Sequence, residues 1–138
     1  MAWERTLRTV SRLLRVFDKE LQTDVDMPIT WYDVLVQLYG APGMKMRMQA
    51  LSDALVLTTS GGTRVVDRIE KAGLVRREPV PEDRRGYYAI LTEAGQELME
   101  RAQVSHRAGI DNHFAEHLSA KEQRTLFNIM SKLLAGNS

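Results

Sequence analysis

The chain has 138 residues, 43% of them hydrophobic and 27% charged, with a formal net charge of +1. This length predicts a single domain over residues 1–138 with one core of its own, and the lack of cysteine excludes a disulfide frame, a thiolate nucleophile and a cysteine redox switch. No apolar run nears the ~20 residues that span a bilayer, and the opening MAWERTLRTV is charged and amphipathic, so a cytoplasmic protein with no membrane partner is expected.

In chain order, Trp3, Leu7, Val10, Leu14, Phe17 and Leu21 alternate spacings of four and three. They form the apolar stripe of a first helix, whose arginines occupy other faces. Pro28 breaks this pattern, and a second helix is expected from Thr30, with Asp33 completing a variant of the capping box. Trp31, Val34, Leu35 and Leu38 fall on one of its faces and Tyr32, Val36 and Tyr39 on another, which predicts a central helix covered on two sides. Gly40-Ala-Pro-Gly43 ends it. Met44, Met46 and Met48 alternate with Lys45 and Arg47, a pattern read as loop packing. A helix over 47–55 follows, with Leu51 and Leu55 inward.

Residues 57–92 hold the strongest signals. A helix over 58–72 is capped by Thr58 and packs through Val65, Ile69 and Ala72, with Val66 beside them. Thr59, Ser60, Thr63, Arg64 and Arg68 lie mostly on its other faces. Gly61 and Gly62 each cost about 1 kcal/mol relative to alanine inside a helix. They fit either a frayed helix start or a close approach to a groove. Gly73 supplies the left-handed end. Two β-like runs, 74–78 and 87–91, then flank a proline-stiffened loop over 79–86, a hairpin with Asp83, Arg84 and Arg85 at its tip. Asp83 can orient a guanidinium for insertion into a minor groove. The same residues also fit an exposed ion pair worth about 1 kcal/mol or less.

Thr92 caps a long helix in which Leu98, Ala102, His106, Ile110, Phe114 and Leu118 recur every four residues. Ser119 and Glu122 form a capping box ahead of a last helix carrying Leu126, Ile129, Met130, Leu133 and Leu134. The apolar stripes at the two chain ends exceed what one subunit covers, which predicts a homodimer.

The order of helix 47–55, helix 58–72 and hairpin is that of a winged helix-turn-helix. The text GLVRREPVPEDRRGYYAILTEAG resembles the wing region of the MarR family of bacterial transcriptional regulators, with Asp83 and Arg85 as its Asp-x-Arg ahead of Leu91-Thr92. The resemblance extends to WYDVLVQL and the terminal helices. It departs at Met48, where the family usually has a Ser or Thr cap, and at Ser52, where it usually has alanine. It implies a mainly α fold with a small β-hairpin wing: a winged helix-turn-helix DNA-binding region over 30–92, with dimerisation helices over 1–29 and 93–138. It also implies that Thr59, Ser60, Thr63, Arg64 and Arg68 meet DNA from the helix, and Asp83, Arg84 and Arg85 from the wing. The expected target is double-stranded DNA carrying an inverted-repeat operator. A small lipophilic or aromatic ligand is implied as a modulator, for which Phe17, Trp31 and Tyr32 could line a crevice, although each also fits as a core residue.

Charge is consistent with DNA as partner but does not establish it. Residues 45–95 carry nine Lys or Arg against seven Asp or Glu, so the small positive excess falls on the reading segment. No P-loop, GxGxxG or HExxH motif is present, so no enzyme and no cofactor is expected. Two alternatives stand beside a DNA-binding repressor. One is a winged-helix protein-interaction module without DNA binding, disfavoured by the absence of aromatic anchors on the polar face. The other is a zinc-responsive regulator using His106, His113 and His117, disfavoured by their place on a packed seam without cysteine.

Overall fold

The computed structural model describes residues 1–58 and 62–138. Helix α1 (Ala2–Val25) ends in a left-handed residue, Asp26, and α2 (Ile29–Gly40) follows directly. Its start differs from expectation: Pro28 holds the cap position, no side chain of α2 caps it, and Thr30 is already helical. The orphan amide at this end is satisfied from another element, because Asp18 Oδ1 of α1 accepts from Ile29 N at 2.9 Å. Asp33 is thereby released for a different task.

A 3₁₀ turn, Pro42–Met44, leads into a short strand, β1 (Lys45–Arg47), where a packed loop was expected. Its Met46 is half-buried between exposed Lys45 and Arg47, so the Lys-Met-Arg alternation has the period of a strand. Next come α3 (Met48–Ala54) and α4 (Gly62–Lys71). The expected cap at Thr58, whose partner amides lie in 59–61, falls outside the described residues, as do Thr59, Ser60 and Gly61 themselves. Gly73 has φ +80°, the left-handed value expected beyond α4. Buried Val66 and Ile69 form the inward face of α4 with partly buried Val65, while Ala72 is exposed beyond the helix end.

The hairpin is longer than expected. Strands β2 (Val75–Val80) and β3 (Asp83–Leu91) leave only Pro81 and Glu82 in the turn. Pairing runs from Val75 opposite Leu91 to Pro79 opposite Tyr87, with an irregularity between Pro79 and Val80. The sheet order β1-β3-β2 makes β2 an edge, where Pro79 removes no interior ladder bond. The basic residues expected in a loop therefore stand in a strand.

Thr92 caps α5 (Glu93–His113), accepting from Gly95 N at 3.0 Å. Its buried positions are Gly95, Met99, Ala102 and Gly109. The repeat of four residues read from the sequence drifts about 40° per step against a 3.6-residue turn, so it cannot stay on one side, and Leu118 lies beyond the helix. The Ser119–Glu122 capping box opens α6 (Ala120–Gly136) as expected. One core joins Leu21, Met27, Leu35 and Leu38 to Leu51, Ile69, Val75 and Met99. No residue of α6 belongs to it. Trp3, Phe127 and Leu134 are 68%, 72% and 74% exposed, and an apolar groove of about 1070 Å³ runs between α1 and α6, lined by Val10, Leu13, Phe114, Leu126, Phe127 and Met130.

Candidate nucleic-acid interface

Helix α4 divides sharply. Val66 and Ile69 are buried, whereas Arg64, Arg68 and Lys71 are exposed on the opposite arc, with exposed Thr63 and partly exposed Asp67 flanking it. An acid on this arc would repel a phosphate. Here Asp67 Oδ1 is paired with Arg77 Nη2 of β2, which neutralises it and ties helix to wing. Gly62 lies against α3: a Cβ there would sit 3.3 Å from Leu55 Cδ1 and 3.4 Å from Ser52 Oγ. The close approach it permits is thus to a neighbouring helix inside the molecule, and Ser52, the departure from the family pattern, faces it.

The wing residues Arg84 and Arg85 are exposed on β3. Pairing with β2 jumps from Tyr87 opposite Pro79 to Asp83 opposite Val80, so Arg84, Arg85 and Gly86 bulge between those pairs. Asp83 does not grip the Arg85 guanidinium. Its Oδ1 accepts from Arg85 N at 3.0 Å, and its Oδ2 lies 3.4 Å from Arg47 Nη1 on β1. It fixes the backbone that carries Arg85 and links it to the third strand, while the guanidinium stays outside. Lys45 Nζ lies 4.7 Å above the Tyr88 ring, so β1 adds a second cation beside the wing. Neither basic residue of β1 stood out in the sequence; their alternation with methionine was the available signal.

Behind these surfaces, Asp33 is the one buried charged residue among those described, at 6% exposure. Its Oδ2 accepts from Val56 N and Leu57 N, both at 2.9 Å, so α2 holds the turn between α3 and α4. Sequence reading assigned this carboxylate to its own helix cap.

Of the residues expected around a ligand, Phe17 and Tyr32 meet at His106. Phe17 packs edge-on to the imidazole with centroids 5.1 Å apart, and Tyr32 lies at 4.6 Å. Trp31 instead packs partly buried against the core. Burial lowers the His106 pKa, with Glu20 opposing, and burial raises that of Tyr32, with Arg107 opposing. Glu20 Oε1 lies 3.1 Å from His113 Nε2, though without hydrogen-bond alignment. No group of three His, Cys, Asp or Glu side chains suited to a metal occurs among the described residues.

The family model for MarR matches residues 25–86. The crystal structure of Sco3205, a MarR family transcriptional regulator from Streptomyces coelicolor in complex with DNA, is 33% identical to this chain with a TM-score of 0.91, covering 98% of this chain and 85% of that one. The chain belongs to the MarR family of winged helix-turn-helix transcriptional regulators. A second MarR protein of Streptomyces coelicolor, AbsC, is also 33% identical, with a TM-score of 0.88 over 98% of this chain and 93% of its own. The uncharacterised HTH-type transcriptional regulator YkoM of Bacillus subtilis is 33% identical over 75% of this chain, and the match spans 65% of YkoM. In MarR terms α3 and α4 are the helix-turn-helix pair, and β2 and β3 belong to the wing.

Proposed function

We propose that this MarR protein is a homodimeric repressor that binds an inverted-repeat operator in double-stranded DNA and responds to a small lipophilic or aromatic ligand. The single observation carrying DNA binding is the outward arc of α4, where Arg64 and Arg68 stand opposite the packed Val66 and Ile69, with exposed Thr63 at its edge. Arg64 suits bidentate contact with guanine O6 and N7, and Arg85 on its anchored strand suits a narrow minor groove. Thr59 and Ser60 complete the proposed contact set from the sequence, with Arg84 on phosphate. Sco3205, similar over nearly the whole chain and crystallised in complex with DNA, supports DNA as the partner. We assign residues 30–92 to reading and the helices of 1–29 and 93–138 to dimerisation. The unburied apolar side chains of α6 and the groove beside α1 support a second copy of the chain as occupant.

Occupying an operator excludes competing proteins, which gives repression. Ligand response would act where Phe17 and Tyr32 meet His106, between dimer helices and reading unit, by binding one subunit spacing better than another. The test is binding to the protein's own upstream DNA by fluorescence anisotropy at several salt concentrations. Wild type should prefer that fragment over a scrambled duplex, and Arg85→Ala should weaken binding. Equal affinity for both duplexes rejects the reading, and an Arg85→Ala protein with unchanged affinity and salt slope removes the wing from it.

A further inference from the structure

We infer that Asp33 is a positioning residue for DNA recognition: its buried carboxylate fixes the turn that aims the N-terminal end of α4, and so sets specificity without touching DNA. The inference rests on the DNA-binding reading above and deepens it. A buried carboxylate is retained only with partners for its charge, and here both identified partners are consecutive backbone amides, Val56 N and Leu57 N, converging on one oxygen. Such convergence fixes the orientation of the peptide between them. This turn directly follows α3, whose last turn closes with Leu55 N donating to Leu51 O at 3.2 Å.

The two halves of α4 are held differently. Its C-terminal half is fixed by the Asp67–Arg77 pair and by buried Val66 and Ile69. Its N-terminal end, where a recognition helix meets base edges, rests on α3 through Gly62 and follows in sequence the turn that Asp33 holds. A ten-residue helix is about 15 Å long. Pivoting it by about 10° about its far end therefore displaces the reading end by roughly 2–3 Å, well beyond the ~0.5 Å that a positioned contact tolerates. Phosphate contacts depend on charge more than on such alignment and survive the pivot.

The test compares Asp33→Ala and Asp33→Asn with wild type as the intact protein. It measures affinity for the upstream fragment, affinity for a scrambled duplex, the salt slope on each, and amide exchange at Val56 and Leu57. Asp33→Ala should lower the ratio of specific to non-specific affinity at least tenfold, leave the scrambled-duplex affinity and its salt slope unchanged, and accelerate exchange at both amides. Asp33→Asn, which keeps one acceptor oxygen but no charge, should lie between. A merely structural role lowers both affinities together with the folded fraction, and that result overturns the inference. A wild-type ratio with wild-type exchange in a folded variant also overturns it. If Asp33→Ala does not fold, Asp33→Asn decides by the same two readouts. Wild type without preference for the upstream fragment removes the DNA reading and this inference together, whereas wild-type preference retained in both variants removes only the role of Asp33.

Discussion

Replacing Gly95 with alanine tests how the wing base is latched to α5. A Cβ at Gly95 would lie 2.1 Å from the Leu74 carbonyl oxygen and 2.7 Å from Leu91 Cδ1. The first of these is backbone and cannot rotate away. The same carbonyl accepts from Thr92 N at 3.0 Å, and Thr92 Oγ1 both donates to Gly73 O at 2.7 Å and accepts from Gly95 N. Overpacking costs about 1–3 kcal/mol and a disrupted Thr92–Leu74 bond about 1 more. Alanine's helix preference offsets up to about 1. The net loss is about 2–3 kcal/mol, because a main-chain oxygen must move, and this corresponds to a fall in Tm of roughly 6–12 °C for a domain of this size. Circular dichroism melts at matched protein concentration read it, since dimer stability depends on concentration. Gly136→Ala, where nothing lies within 4 Å of the added carbon, is the control. A Gly95→Ala protein melting within 2 °C of that control refutes the reasoning.

Phe127, 72% exposed in the protomer, should be a dimer contact worth about 2–3 kcal/mol by area burial; Phe127→Asp should yield a folded monomer by light scattering with much weakened operator binding. Arg64→Ala should cost about 1–3 kcal/mol on the operator and relax preference at a single base position, as read by a panel of single-base operator variants. Because folding lowers the His106 pKa, the unfolded chain binds the extra proton. Its contribution to stability is complete above the ordinary value of 6.5, is lost as pH falls from there toward the folded value, and changes no further below it. Urea titrations at several pH values should show a shallower acid loss in His106→Gln than in wild type; parallel curves would remove His106 from that dependence.

Much of this architecture is written in local pattern. The α5 cap at Thr92, the Ser119–Glu122 box and the left-handed Gly73 depend on residues within a few positions of one another, so sequence alone places them. The misread features involve partners far along the chain. Strand β1 is three residues long and exists through β3, some 40 residues away, and Asp33 serves amides 23 and 24 residues on rather than its own helix. Asp18 likewise caps a helix it does not belong to. The wing loop appeared longer than it is because its prolines read as a loop, whereas an edge strand tolerates them. In the candidate interface, the polar arc of α4 follows from periodicity, but the pairing of Asp67 with Arg77 and of Asp83 with Arg47 requires the sheet to be assembled first.

That third strand has a mechanical consequence. Since β1 immediately precedes α3 and is laced to β3, the finger and α3 are parts of one frame, braced to α4 where Arg77 meets Asp67. If the proposed ligand acts at the proposed subunit seam, it should swing each frame whole, without uncurling one finger from it. Engagement of a half-site should then gain or lose groove contacts from helix and finger in the same stroke.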